Sequence, residues 1–502
     1  MIERTLVDYH ERTKHSYESI RREGGGLDWS NEPSPFKEYL DLDAIALPPP
    51  EGTGVPAHDA ITASTDVKSD APLTTDALSY VLFHGAGVTR IFRGSFGELR
   101  FRAYASAGAL YPNEVYLVSG GTEGLDAGVY HYGPRDHDLR LLREGDHRGA
   151  LGLAGAQPGQ ASLVVTGLPW RTAWKYGTRG FRHLYWDAGM IVANVLGSGA
   201  ARGVRATVLL GFVDEAVARM IGVDGETEFP LCIVALGDAD APPHNEVTEM
   251  ISHRVAPVSR RPRRDPGIER AHAATMLRTE AEVEAVRAAV REAHGDGERR
   301  VERVEPFPRE RLSRDGFERV VRRRGSSRSL AREAFPAGEL AAVLDLALAT
   351  FPSDWPSGAV RVFLVASALE GVPPGAYRYD GGGSFAEIRA GDLRRKAGFV
   401  CLEQRLAADG AAALFLMGDV ESELATLGSR GYVAAQLEAA IVAGRIYLGA
   451  YAQCLGASGI TFYDDEVRQL FETSAEPMLA VVVGPEGQRE SIIRCRQRLT
   501  AG

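Results

Sequence analysis

The 502 residues contain four cysteines: Cys232, Cys401, Cys454 and Cys495. None falls in a C-x-x-C pair and no histidines join them at metal-ligand spacing, which argues against a disulfide scaffold or a metal module. No run of about 18 apolar residues occurs, so no membrane span is expected. Residues 1–14 lack the apolar stretch of a secretion signal, and the cytoplasm is the expected compartment. Excess positive charge is missing too. There are 57 Lys+Arg against 67 Asp+Glu, a net −10, which argues against a general nucleic-acid footprint. No G-x-G-x-x-G fingerprint follows a strand, so a dedicated dinucleotide domain is not expected. Two local basic runs, 260–264 and 322–324, stand against the overall charge and need their own explanation.

What is present is the composition of a globular protein, 44% hydrophobic and 25% charged, long enough for several domains. The chain also echoes itself at an offset of about 250 residues. Gly128-Val129-Tyr130-His131-Tyr132 and Gly375-Ala376-Tyr377-Arg378-Tyr379 each read as a strand leading through a polar or Gly-rich turn into a second strand. Apolar strands follow at 161–167 and 411–418. Core helices follow these at 180–201 and 431–454, with Asp187-Ala188-Gly189 in register with Glu438-Ala439-Ala440. Each half closes on a β-run ending in Gly237 or Gly484. We divide the chain into an N-terminal extension, 1–72, disordered-looking from Pro48 to Pro72; a first domain, 73–255; an Arg-rich linker and helix, 256–300; and a second domain, 301–502. Two like domains, each exposing an apolar helix, tend to pair, so the tandem can imitate a homodimer.

The residues of this unit resemble the nitroreductase fold, and more narrowly the SagB-type dehydrogenases, which include the thiazoline/oxazoline oxidases of azole-peptide biosynthesis. Four segments carry the resemblance. The run from Ser106-Ala107-Gly108-Ala109 through Pro112 to Tyr116 is similar to that family's P-S-x-G-x-x-x-P-x-x-x-Y, with Ala105 in place of the first Pro. The Gly128–Tyr132 run resembles its G-x-Y-x-Y hairpin. Lys175-Tyr176 resembles its Lys-Tyr pair. Arg324-Gly325-Ser326-Ser327-Arg328 resembles the R-x-S-x-R phosphate motif of nitroreductases. His10, Thr13, Lys14 and His15, with Leu27-Asp28-Trp29, look like an extension found in some members. The resemblance implies an α+β fold, two tandem FMN-binding domains forming a pseudo-dimer, and FMN as cofactor.

The residue types suit that chemistry. A flavin phosphate is a dianion that calls for guanidinium and hydroxyl donors. Arg324, Ser326, Ser327 and Arg328 supply them within five residues, and Arg494 and Arg496 can add to them from one face of a strand. A solvated helix face is the bland alternative. Ser106, Gly108 and Ala109 are small enough to lie along a flat ring, and Leu455-Gly456 can add backbone contacts, although a plain helix end accounts for them equally well. Oxidising an azoline removes a proton from carbon as a hydride leaves. That needs a positioned base; burial suits a Lys to the task, and Tyr can relay a proton. Lys175 and Tyr176 are therefore the catalytic candidates, with either able to take the proton. No metal site is expected.

The motifs are unequally shared. The phosphate motif stands in the second half, and the Ser-Gly loop and Lys-Tyr pair in the first, where the second half has 352–358 and Leu427-Gly428 instead. We expect one composite FMN site per chain. The expected function is an FMN-dependent oxidoreductase acting on a heterocycle in a peptide or a carrier-bound intermediate, with a cyclodehydratase as a partner and further oligomerisation open. The alternatives are an NAD(P)H-dependent flavin reductase and an inactive scaffold that binds a precursor peptide or a cyclodehydratase.

Overall fold

A computed structural model describes residues 2–22, 26–64, 67, 72–94, 97–238, 249–293 and 312–487. The two halves repeat one sheet. In the first, strands run in the order Ile45–Ala46, Asp138–Glu144, Gly128–Gly133, Asn113–Ser119, Ala161–Gly167, Phe229–Leu236, Ala206–Leu209. In the second the order is Ser384–Ala390, Gly375–Gly381, Arg361–Ala366, Ala412–Gly418, Glu476–Gly484, Gly456–Ile460. Apart from the short extra edge strand Ile45–Ala46, the two orders correspond one to one, and every neighbour pair in both sheets is antiparallel.

The central strands read as unbroken apolar runs because both faces are covered. Along Ala412–Gly418, Ala412, Leu414 and Leu416 enter the large core shared by both halves, while Ala413, Phe415 and Met417 enter a smaller outer core. That is the period-two alternation of a strand with each face buried. In the shared core, helix Gly180–Ala201 of the first half packs along Ser429–Ala452 of the second. By length and composition Ser429–Ala452 could cross a membrane, yet here it is wholly buried in protein.

Small residues set how closely these helices approach. A Cβ on Gly189 would stand 2.4 Å from Ala440 Cβ, and one on Gly444 would stand 2.6 Å from Ala193 Cβ. Gly189→Val is expected to lower stability by about 3 kcal/mol through overpacking against backbone that cannot yield. An unchanged urea midpoint would contradict this packing.

The N-terminal helix has a counterpart. Helix Ile2–Arg12 is followed by His15, whose N–H donates to Asp464 Oδ2 at 2.8 Å. Helix Pro266–Thr275 is followed by Leu277, whose N–H donates to Asp214 Oδ2 at 2.8 Å. Thr13 and Thr275 each donate a hydroxyl to the carbonyl of a histidine three residues earlier, His10 and His272. Each helix opens one repeat and completes the other, in a reciprocal exchange. Buried arginines seal both crossings: Arg430 pairs with Asp214 at 2.5 Å, and Arg179 and Arg182 pair with Asp464 at 3.0 and 3.2 Å. The stretch expected to look disordered also carries structure. Helix Ala57–Ala63 buries Ala57, Ala60 and Ile61 against both long helices, an apolar stripe outweighing the polar composition around it.

Candidate active site

Helix Pro169–Tyr176 starts on a proline, which suits a first turn, and ends at Gly177 with φ +53°. Its inward face is fixed by Arg171, which donates to Glu114 Oε1 at 2.5 Å and to the Tyr111 carbonyl at 2.9 Å. Lys175 and Tyr176 then emerge on the last turn. Tyr176 stacks on His183 at 4.1 Å and 9°, and burial pushes its phenol upward. Lys175 is exposed, not buried as the sequence argument asks of it.

The Ser-Gly loop lies against this pair. Gly108 has φ +63°, a conformation that favours glycine, and a Cβ there would stand 2.9 Å from both Lys175 Nζ and the Tyr176 hydroxyl. Ala109, exposed, follows with φ +55°. Asp187, which the sequence reading did not single out, holds the loop: the Ser106 hydroxyl donates to its Oδ2 and the Ala107 N–H to its Oδ1 at 3.2 Å. A signal for it existed in the register of Asp187 with Glu438. Glu438 does the same work in the second half, accepting from the N–H groups of Gly358 and Val360 at 2.8 and 3.2 Å.

Burial pushes the Asp187 carboxyl up to about 7, against the Ser106 and Ala107 hydrogen bonds that pull it down. The folded state therefore binds this proton more tightly than the unfolded chain does. The resulting stabilisation is complete below about pH 4 and fades as pH rises toward neutrality. Asp187→Asn is expected to flatten that slope in urea unfolding series. Parallel pH profiles for the two proteins would refute it.

The phosphate motif follows helix Phe317–Arg323 and meets the first half directly. Arg324 Nε donates to the Ala103 carbonyl at 3.0 Å and Nη2 to the Arg102 carbonyl at 2.9 Å. Arg90 returns the contact, donating to the carbonyls of Arg322, Arg323 and Arg324. Arg324 is thus buried and tied to backbone, whereas Ser326 and Arg328 are exposed. Ser327 is buried, with its N–H on the Ala457 carbonyl at 2.9 Å and its Oγ 3.1 Å from the Tyr451 hydroxyl. Gly456 starts strand Gly456–Ile460, and a Cβ there would meet Ser327 Oγ at 2.5 Å, so Leu455-Gly456 abuts the motif. Arg494 and Arg496 lie outside the described residues. Segment 102–111 joins the two sets of residues. Its start accepts from Arg324, and its loop faces Lys175 and Tyr176.

The equivalent region on the other side is filled. Ser64 follows helix Ala57–Ala63 as Arg324 follows Phe317–Arg323. Arg445, buried, donates to the Ala349 carbonyl and, at 2.9 Å, to Ser64 Oγ, and it covers Phe351 at 5.4 Å. Phe351 and Trp355 pack edge to face at 5.8 Å inside the core. The helix Val420–Leu427 ends at Gly428 with φ +58°, so Thr426 and Leu427 occupy the Lys-Tyr positions, one residue earlier than the sequence alignment puts them. A cavity of about 980 Å³ lies beside the first turn of Pro169–Tyr176, lined by Trp170, Phe229 and His272, and contains none of the predicted flavin ligands. Among the described residues, no cluster of metal-ligating side chains occurs.

Two like α+β units meeting around one set of polar residues define a tandem oxidoreductase fold. Residues 69–238 and 321–485 both match the model of the Nitroreductase family, and the chain belongs to that family, whose members generally bind flavin. A crystal structure of a protein from Anabaena variabilis assigned to the nitroreductases aligns over 96% of this chain and 99% of that one, with TM-score 0.75 and 26% identity. A Methanocaldococcus jannaschii protein assigned likewise is 26% identical over 202 residues, 39% of this chain and 97% of that protein. The microcin B17-processing protein McbC of Escherichia coli is 31% identical over 154 residues, 29% of this chain; the match spans 56% of McbC.

Proposed function

We propose that this chain is an FMN-dependent dehydrogenase of the SagB type that oxidises an azoline to an azole within a peptide, using one composite site. The observation carrying this is the asymmetry. The Ser106–Gly108 loop and the Lys175–Tyr176 pair are exposed or half-buried at one interface region, while the mirror region is packed with Arg445, Phe351 and Trp355. Similarity to McbC supports the peptide substrate.

The donors present fit the cofactor. Arg328 and Ser326 would hold its phosphate, with Arg324 bracing the motif. Gly108 keeps a side chain away from the space beside Lys175 and Tyr176. Bound FMN supplies the hydride acceptor. The chain's part is to hold the substrate carbon beside Gly108 and to pass its proton to Lys175 Nζ in its free-amine form, directly or relayed by the Tyr176 hydroxyl, which hands on its own proton as it accepts; each group stands 2.9 Å from the space a Cβ on Gly108 would claim. The substrate would lose its electron pair as hydride and its proton to the side chain, and repeated turnover would need oxygen or another electron acceptor.

Flavin released from purified protein, measured against protein concentration, is expected at one FMN per chain, with conversion of a thiazoline-containing peptide followed by its two-hydrogen mass loss. Two FMN per chain would overturn the composite site. Rapid bleaching by NADPH with no azoline oxidation would favour a flavin reductase. Colourless protein that FMN cannot reconstitute would favour a scaffold.

A further inference from the structure

Two sequence features remain outside this account: the Leu27-Asp28-Trp29 segment and the arginine run 260–264. The fold brings them together beside Lys175. Trp29 is 67% exposed, yet it is held in place. Its ring packs edge to face on Trp174 at 5.3 Å, and the Trp174 indole N–H donates to the Asp28 carbonyl at 3.0 Å. The short turn Trp29–Asn31 is pinned by Asn31, buried, which exchanges two hydrogen bonds with the Arg261 backbone at 2.8 and 2.9 Å. The linker continues past the catalytic helix: Ser259 Oγ accepts from the Trp170 indole at 2.8 Å, and Asp265 accepts from Thr178 Oγ1 at 2.9 Å.

The result is a fixed rim whose aromatic residue Trp174 directly precedes Lys175. Arg260, Arg261 and Arg263 are exposed along it and make no ion pair among the described residues, whereas Arg264 is engaged by Glu226 and Glu269. Prolines at 257, 262 and 266 stiffen the backbone that carries them. A large aromatic surface held in water by a set of fixed hydrogen bonds marks a contact surface. Local positive charge on a chain of net −10 selects for an acidic partner and against a basic one.

We propose that Trp29, Trp174 and the guanidinium groups of Arg260, Arg261 and Arg263 dock an acidic, aromatic-bearing stretch of the peptide substrate next to its heterocycle. This rests on the peptide-oxidase reading above and specifies the sequence that reading would accept. Trp174 directly precedes Lys175, so an occupant of the rim runs on to the candidate catalytic pair, which favours the substrate chain over a lipid surface.

The test uses the full-length, FMN-loaded protein and a fluorescein-labelled peptide of about a dozen Asp, Glu and Gly residues with one central Phe. Anisotropy should report binding that weakens with salt. Trp29→Ala and the triple charge reversal Arg260→Glu/Arg261→Glu/Arg263→Glu should each raise Kd about tenfold, and the surface control Arg405→Glu should not. Equal binding by all proteins, equal binding of a Lys-substituted peptide, or loss in the variants of binding to phosphatidylglycerol vesicles with the peptide ignored would each overturn the proposal. A second arm separates it from the parent reading. With a thiazoline set in the acidic peptide, the charge reversal should raise KM and leave kcat unchanged, while a capped thiazoline dipeptide should show no change. Binding of the acidic peptide without oxidation of either substrate would sink the oxidase reading and leave the docking rim standing.

Discussion

Lys175→Ala combined with Tyr176→Phe is expected to lower turnover by about a thousandfold, the scale of losing general acid–base assistance, while the protein keeps its FMN. Both side chains reach the same point above Gly108, so either single substitution leaves one proton-handling group within reach. The double-variant loss should therefore exceed the product of the two single losses, the non-additivity of groups that can stand in for one another. Tyr176 has the more constrained position, stacked on His183, which burial and then the Arg179 charge keep neutral. Phe preserves that stack and removes only the hydroxyl, so a fall in kcat without loss of bound flavin isolates the chemistry. Steady-state rates with the thiazoline peptide, beside the flavin absorbance of each variant, give the answer. Wild-type turnover in the double variant would remove both residues from the mechanism.

Arg328→Ala is expected to weaken FMN binding by about tenfold to a hundredfold, the range for one charge-assisted hydrogen bond, with no change in the unfolding midpoint. Arg328 is exposed and makes no ion pair among the described residues. Arg324→Ala should lose flavin and stability together, because it strips donors from the Ala103 and Arg102 carbonyls across the boundary between halves. Equilibrium dialysis against FMN and urea unfolding of the apoprotein separate the two effects. Retention of flavin by the Arg324→Ala/Arg328→Ala double variant would end the phosphate assignment. A stability loss at Arg328 equal to that at Arg324 would mean the motif is merely a brace.

Much of the fold was legible because its signals are local. The apolar runs at 161–167 and 411–418, the paired hairpins and the in-register long helices all report a backbone that repeats, and the repeated family match is at the same places. The candidate site residues could be proposed from the sequence for the same reason: Lys175-Tyr176 and the Arg324 to Arg328 motif are contiguous. Asp187 and Arg445 were not singled out. Each looks like an ordinary polar residue in a helix until the loop or cavity it serves, many residues away, is folded against it. The exchange of the two first helices was also missed. Its sequence trace, a histidine and threonine three apart at His10/Thr13 and again at His272/Thr275, is too short to stand out from the chain.

The sequence by itself determined that there are two units, which long helices and central strands form their core, and which half keeps which motif, since apolar runs and motif losses are written along the chain. Only the tertiary structure decided that Arg324 is tied to the Ala103 and Arg102 carbonyls, that Arg445, Phe351 and Trp355 fill the mirror region, and that a solvent-facing tryptophan and an arginine-rich linker share one rim. Those outcomes depend on which donors meet which carbonyls across the interface. Hydrogen bonds between residues hundreds of positions apart leave no periodic mark on the sequences that make them.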